Sequence, residues 1–402
     1  MSESLPSEDS VHIQGGPGEV QTPPGTSQTI APWQKPLQGV LAWFGTVAPG
    51  LALACLLAWI GSILAGFVGE TLLGFEKTPI SPIMVTILLG LLVRNVAGLP
   101  AVYQAGLRFA VKRILRLGIV LLGLGLSLLA VGRIGASALP VILGCIVCAL
   151  ILVTWLGRLV GLPPRLASLI AVGTSICGAS AIVATGPAID AEEDEVSYAV
   201  ACVTLFGMTA LLVYPSLAHW LFAGDAERVG LFLGTAIHDT SQVAGAGLMY
   251  QQRFDAPTAL NVAATTKLVR NVCMGAVIPI VAMFCRRRSA STGSGSSGRL
   301  KWHQYVPMFV VAFVALTAVR TLGDLGTEAF GVIPRPAWHS LIAEARTVSV
   351  ACLTIAMGAI GLGTSVVQLK NLGSKPLLVA LCAMVLVGGV SLALITVFGA
   401  AL

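Results

Sequence analysis

Residues 139–160 read LPVILGCIVCALILVTWLGRLV. The run holds a single charge, Arg158, near its end. It matches the span of about 20 apolar residues that a helix needs to cross the hydrocarbon core of a bilayer. The rest of the chain has the same character. Of 402 residues, 56% are apolar and 10% are charged, against roughly 25% charged in an ordinary soluble domain. Mean hydropathy is +0.88. These values exclude a disordered protein and a nucleic-acid-binding module, and they argue against a soluble multi-domain enzyme. The 45 glycines suit membrane helices, where small residues let backbones approach. The sequence reads as an all-α polytopic membrane protein.

Further apolar runs lie at 46–69, 80–97, 107–131, 166–189, 197–222, 229–250, 257–285, 305–322, 341–365 and 375–398. With 139–160 they predict about eleven transmembrane helices within a transporter domain over 41–400. Residues 1–40 precede it. Up to residue 34 they are rich in Ser, Pro, Gly and Gln, with four acids and no Lys or Arg, which predicts a disordered cytoplasmic tail. A second polar stretch, 286–301 (RRRSASTGSGSSGRLK), has the composition of a flexible linker.

Lys and Arg prefer cytoplasmic loops. Basic clusters follow the second, fourth, eighth and tenth predicted spans, all on one side, and the acidic run DAEEDE at 190–195 falls on the other. The N-terminus is therefore expected inside and the C-terminus outside, in the periplasm. GLGLSLLAVGRIG (123–135) resembles GLGTSVVQLKNLG (361–373) in helices expected to run oppositely, as an inverted-topology repeat requires. A shorter echo pairs Gly173, Thr174, Ile176 and Ser180 with Gly234, Thr235, Ile237 and Ser241. It reflects either a re-entrant element or two stretches with similar backbone needs.

A polar group at mid-membrane is a functional candidate by default, since insertion costs about 2.5 to 3.5 kcal/mol for a charged side chain. Three stretches qualify. In GTSICGASAIVATGP (173–187), Thr174, Ser175, Cys177, Gly178 and Ser180 maintain a helix poorly and suit a broken one, whose half-helix N-terminus can face an anion. A close-packed small-residue interface is the competing explanation. In GTAIHDTSQVAGAG (234–247), His238 and Asp239 form an adjacent pair suited to carry or tune a coupled proton, with Thr240, Ser241 and Gln242 beside them. The competing explanation is a mutually satisfied structural pair. In NVAATTKLVRN (261–271), Lys267 and Arg270 share a helix face. Asp239 neutralises at most one of these cations, so their surplus points to an anionic substrate; structural ion pairing with Asp239 or another acid is the competing explanation.

The nine cysteines are scattered through apolar runs and supply no disulfide framework. Cys145 and Cys148 make a C-x-x-C without a second pair or a nearby histidine, which fits a buried face better than metal or redox chemistry. No cofactor or metal is expected. Walker A, HEXXH and GxSxG patterns are absent, so neither ATP-driven transport by this chain alone nor intramembrane hydrolysis is expected, and the chain reads as no enzyme.

TSICGASAIVAT with its following acidic run, LFGMTALLVYP, GTAIHDTSQVAGAG and TTKLVRN together resemble the YeiH-type family of bacterial inner-membrane proteins, labelled sulfate exporters. The resemblance covers roughly residues 40–400. It implies a place in the cation:proton antiporter and anion transporter superfamily, with inverted repeats and discontinuous helices crossing at mid-membrane. Sulfate, sulfite and small organosulfonates all fit that label, and a homodimer follows by analogy.

The expected function is secondary active transport of a small anion by alternating access. Thr174, Ser175, Cys177, Gly178, Ser180, Thr240, Ser241, Gln242, Lys267 and Arg270 would hold the substrate. A cation:proton antiporter with Asp239 as the ion site is an alternative. A non-transporting receptor or sensor for an anion is a second alternative, from a different class.

Overall fold

A computed structural model describes residues 34–72, 81–289, 308–326, 328–365 and 373–398. The chain divides into two units, Met1–Phe44 and Gly45–Leu402, and the packing below belongs to the second. Of the expected tail, residues 1–33 lie outside the described residues, and helix begins at Gln34. The linker from 290 onward and most of the second repeat segment, 366–372, also lie outside them.

The described residues are helical, apart from connecting turns and an isolated β-bridge between Ala329 and Ile333. In chain order the helices are α1 (Gln34–Gly66), α2 (Pro82–Val96), α3 (Ala101–Phe109) and α4 (Leu115–Leu122). Next come α5 (Leu128–Leu159), α6 (Pro164–Ser175), α7 (Ala179–Thr185), α8 (Glu193–Leu221), α9 (Ala226–Ala236) and α10 (Thr240–Phe254). The series closes with α11 (Pro257–Val272), α12 (Met274–Ser289), α13 (Met308–Gly323), α14 (Arg335–Gly363) and α15 (Ser374–Phe398). Among the described residues, five helices are long and apolar enough to cross a membrane: α1 from Trp43, α5, α8, α14 and α15. The pair α11 and α12, bent by 41°, is a sixth when counted as one broken span.

The opening stretch lies in α5. Its buried residues include Val141, Ile142, Cys145, Ala149 and Val153, while Leu139, Leu143, Val147, Ile151, Trp155 and Leu159 are exposed. The exposed stripe recurs every fourth residue and is as apolar as the buried one. Such a face belongs in lipid, since soluble monomers rarely expose a continuous apolar patch of this kind.

Two boundaries differ from the hydropathy reading. Segments 107–131 and 139–160 were separated at residues 132–138, but α5 already begins at Leu128. The interruption falls instead at Gly123–Gly125, a single 3-10 turn. Ser127 then caps α5, its hydroxyl accepting the Ala130 N–H at 3.2 Å. The acidic run is the start of α8, where Glu192 and Glu195 form a capping box and Glu193 and Asp194 occupy the electropositive first turn.

Helix α11 is central, packing most extensively on α9 and also on α10 and α5. Helix α14 packs on α2 and α4, and α15 packs on α5. One large apolar core joins most of these helices, a second unites parts of α5 to α8 with α15, and a third lies between α1, α3 and α14.

The third core depends on backbone contact between α1 and α3. A Cβ placed on Gly106 would come 2.2 Å from the Val47 carbonyl oxygen and 2.6 Å from the Gly50 Cα. Gly106→Ala is expected to destabilise the protein by about 1 to 3 kcal/mol, the usual range for overpacking. Gly132→Ala in α5, with nothing within 4 Å of the new methyl, is expected to be neutral or stabilising by up to about 1 kcal/mol. Thermal unfolding in detergent separates the two, and equal melting shifts would contradict the packing described.

Candidate functional site

Both polar stretches at 173–187 and 234–247 are broken helices. Helix α6 stops at Ser175 and α7 starts at Ala179; α9 stops at Ala236 and α10 starts at Thr240. The breaks occupy equivalent positions in the Gly-Thr-x-Ile echo, so that echo marks two matching interruptions of the backbone. At the first break Gly178 has φ +64° and ψ −129°, a conformation only glycine adopts without strain. At the second, Ile237 and Asp239 are extended.

The breaks touch. A Cβ on Gly178 would lie 3.0 Å from Asp239 Oδ2 and 3.4 Å from its Cα. Gly178 therefore meets two requirements, a left-handed backbone and room for the carboxylate of the other break.

A helix that ends leaves its last carbonyls without intrahelical donors, and in a bilayer no water replaces them. Two side chains of α11 fill this role. Lys267 Nζ donates to the carbonyls of Ile176 (2.7 Å) and Ile237 (3.0 Å), and also to that of His238. Arg270 donates through Nε to Ser175 (2.7 Å), through Nη2 to Thr174 (2.6 Å) and through Nη1 to Thr235 (2.5 Å), with a longer contact to Ile237 at 3.5 Å. The equivalent residues of the echo share a partner: Arg270 takes Thr174 and Thr235, and Lys267 takes Ile176 and Ile237. Both cations have 0% exposure. They also sit at the negative ends of two helix dipoles, where positive charge is favoured.

Helix α11 reaches this position because α9 presents glycine to it. Gly230 and Gly234 form a G-x-x-x-G, and a Cβ on either would collide with α11, at 2.6 Å from the Ala259 carbonyl oxygen or 2.7 Å from Thr266 Cβ. This motif was legible in the sequence, where Gly234 is noted only for the echo and Gly230 not at all.

The start of α10 is closed by its own residues. Asp239 Oδ1 accepts the Ser241 N–H at 2.8 Å and also the Ser241 hydroxyl, while Gln242 Oε1 accepts the Asp239 N–H at 3.2 Å. Gln242 Nε2 donates to the Thr204 carbonyl at 3.1 Å, and its amide fills the space over Gly207. Thr240 accepts from Asn271 Nδ2 at 3.0 Å. The Thr174 and Ser175 hydroxyls donate back to α6, and Cys177 Sγ meets Met274 Sδ at 3.6 Å. Ser180 is exposed, and Asp239 and Thr240 are half-buried, so the crossing is open on that side. Behind it Thr235 and Ser391 share a 2.6 Å hydrogen bond. Ser391 carries no signal in the sequence, being one hydroxyl in an apolar helix.

One group at the crossing stands apart. His238 has 0% exposure, lies among Thr174, Lys267 and Arg270, and has no hydrogen bond of ordinary geometry on either ring nitrogen. The Thr265 and Thr266 hydroxyls and Asn271 Oδ1, all on α11, are likewise buried without partners. Gln251 Oε1 on α10 is also without a partner, and since buried polar groups are usually satisfied, each of these atoms is a candidate contact for a ligand or water.

A family model described as conserved hypothetical protein 698 matches residues 49–380. The chain is similar to a UPF0324 membrane protein of Agrobacterium fabrum, with 32% identity over 369 residues, covering 91% of this chain and 97% of the relative. A UPF0324 membrane protein of Streptococcus pneumoniae is 35% identical over 82% of this chain and 91% of its own. The UPF0324 inner membrane protein YeiH of Salmonella typhi is 31% identical over 85% and 92% respectively. No solved structure matches.

Arg270→Met would leave the Thr174, Ser175 and Thr235 carbonyls without their side-chain donor. The expected cost is about 3 to 5 kcal/mol, the range for removing one partner of a buried charged contact. Arg270→Lys keeps the charge with fewer donors and is expected to lose less. Thermal unfolding of the purified variants orders them; an Arg270→Met protein as stable as the parent would contradict the bonding described.

Proposed function

The chain belongs to the UPF0324 family of membrane proteins, and we propose that it is a secondary active transporter of a small anion working by alternating access. The observation that carries this reading is the meeting of two broken helices at a crossing pinned by two buried cations, with unpartnered polar groups beside it. Discontinuous helices at a mid-membrane site are the arrangement by which many secondary transporters expose backbone dipoles to a substrate. A structural core has no need of a half-open crossing, and a sensor has no need of a mobile repeat scaffold.

The substrate class is sulfate, sulfite or a small organosulfonate. Lys267 and Arg270 act on the anion mainly through their field, because their donors are engaged by carbonyls. Direct contacts come from His238, the exposed hydroxyl of Ser180, and Thr240 at the start of α10. His238 and Asp239 carry or tune a coupled proton. The membrane domain has about eleven spans built as an inverted repeat in the bacterial inner membrane, N-terminus inside and C-terminus in the periplasm, and works as a homodimer without enzymatic activity.

One feature favours a second reading, a cation:proton antiporter. The cap of α10 engages Asp239 Oδ1, which leaves Oδ2 at the half-open crossing for Na⁺ or a proton. Proteoliposomes given labelled sulfate, sulfite and taurine-type sulfonates decide between the two. Uptake of at least one anion is expected, together with a loss of about tenfold or more in Lys267→Ala and in Arg270→Ala, since each loses several charge-assisted hydrogen bonds. Na⁺-driven acidification without anion dependence would favour the antiporter, and unchanged uptake in both variants would contradict the site.

A further inference from the structure

The crossing's positive charge is largely spent before any ligand arrives. Lys267 and Arg270 bring two positive charges. The C-terminal ends of α6 and α9, on which they sit, each offset roughly half a charge. Asp239 offsets one more, its carboxylate accepting from Ser241 at the start of α10; that helix end returns roughly half. The remainder is about one positive charge or less.

Hydrogen-bond capacity is equally limited. All three donors of Lys267 are engaged, and four of the five guanidinium N–H groups of Arg270 have carbonyl partners once the long Ile237 contact is counted. What is left for a ligand is one Nη2 proton, the ring of the fully buried His238, which beyond the Thr174 backbone beside it has no partner, and the hydroxyls of Ser180 and Thr240. A dianion entering this space would need two compensating charges and donors for most of its oxygens. The desolvation cost also rises with the square of the charge, roughly fourfold from monoanion to dianion.

Building on the anion-transport reading, we infer that the carried species is a small monoanion, held against His238, and that the sulfate dianion is discriminated against. His238 supplies a neutral N–H or an acceptor lone pair according to tautomer, and the anion presents its acceptor atoms to it and to the leftover Arg270 proton. Asp239 sets the charge of the site without touching the ligand, making it a specificity-determining residue.

The test uses the full chain in proteoliposomes and compares uptake of labelled methanesulfonate with uptake of labelled sulfate at one pH. Both anions carry a sulfur with three or four oxygens and differ in charge. The second protein is Asp239→Asn, because Asn caps a helix as well as Asp does while removing one negative charge beside the site. Wild-type protein is expected to take up methanesulfonate at least about tenfold faster than sulfate at equal concentration. Asp239→Asn is expected to shift that ratio toward sulfate by about tenfold or more, up to roughly a thousandfold, the effect of a unit charge change about 4 Å away at an effective dielectric constant near 20. A wild-type preference for sulfate, or a ratio unmoved in the variant, overturns this inference and leaves anion transport standing. Failure of both anions to move overturns the inference and the transport reading together.

Discussion

Two cations on one helix supply the hydrogen bonds that two other helices lack. Each break leaves carbonyls facing a region without water, and an unsatisfied buried backbone group costs about 1 to 3 kcal/mol. Lys267 and Arg270 meet six of these carbonyls, three on each side of the crossing. The breaks can exist only while α11 stays in register with both of them. The register depends in turn on Gly230 and Gly234, which bring α9 within backbone contact of α11.

This arrangement changes what the buried charge means. A lysine and an arginine deep in a membrane protein suggest an anion pressed against them, yet here their donors face the chain itself. At the proposed site a ligand would meet a weakly positive field and few free hydrogen-bonding groups, with His238 the main one. The bond network also makes the two breaks and α11 one mechanical unit. Rocking of this unit against the helices around it would carry the site from one face to the other without rebuilding it, which is what alternating access asks of a fixed binding site.

Much of the fold was legible because a bilayer imposes length and composition on a helix. The apolar run at 139–160 lies in α5 up to Leu159, and the hydroxyl-rich stretches at 173–187 and 234–247 contain the two interruptions. Where the reading slipped, hydropathy carried no information. Gly123–Gly125 ends a helix inside the apolar run 107–131, and Arg108, Lys112 and Arg113, read as a basic cluster following the second span, lie along a helix in that same run. The residues that meet at the crossing stood out in the sequence because polar groups within apolar runs are rare. Their orientation did not, since the facing of a lysine toward carbonyls or toward a cavity depends on tertiary packing. Ser391 and Thr204 contribute through contacts between distant segments that nothing in their own neighbourhoods marks, and Gly207, inside LFGMTALLVYP, is not distinguished there from its neighbours.

The central claim is that Lys267 and Arg270 hold the helix ends while the anion sits beside His238. Anomalous diffraction from crystals of the protein with bromomethanesulfonate tests it directly. The account predicts a bromine peak near the His238 ring and the Asp239–Ser180 opening, with Lys267 still bonded to the Ile176, Ile237 and His238 carbonyls. A peak whose sulfonate oxygens sit on Lys267 Nζ, with those carbonyl bonds broken, would contradict it.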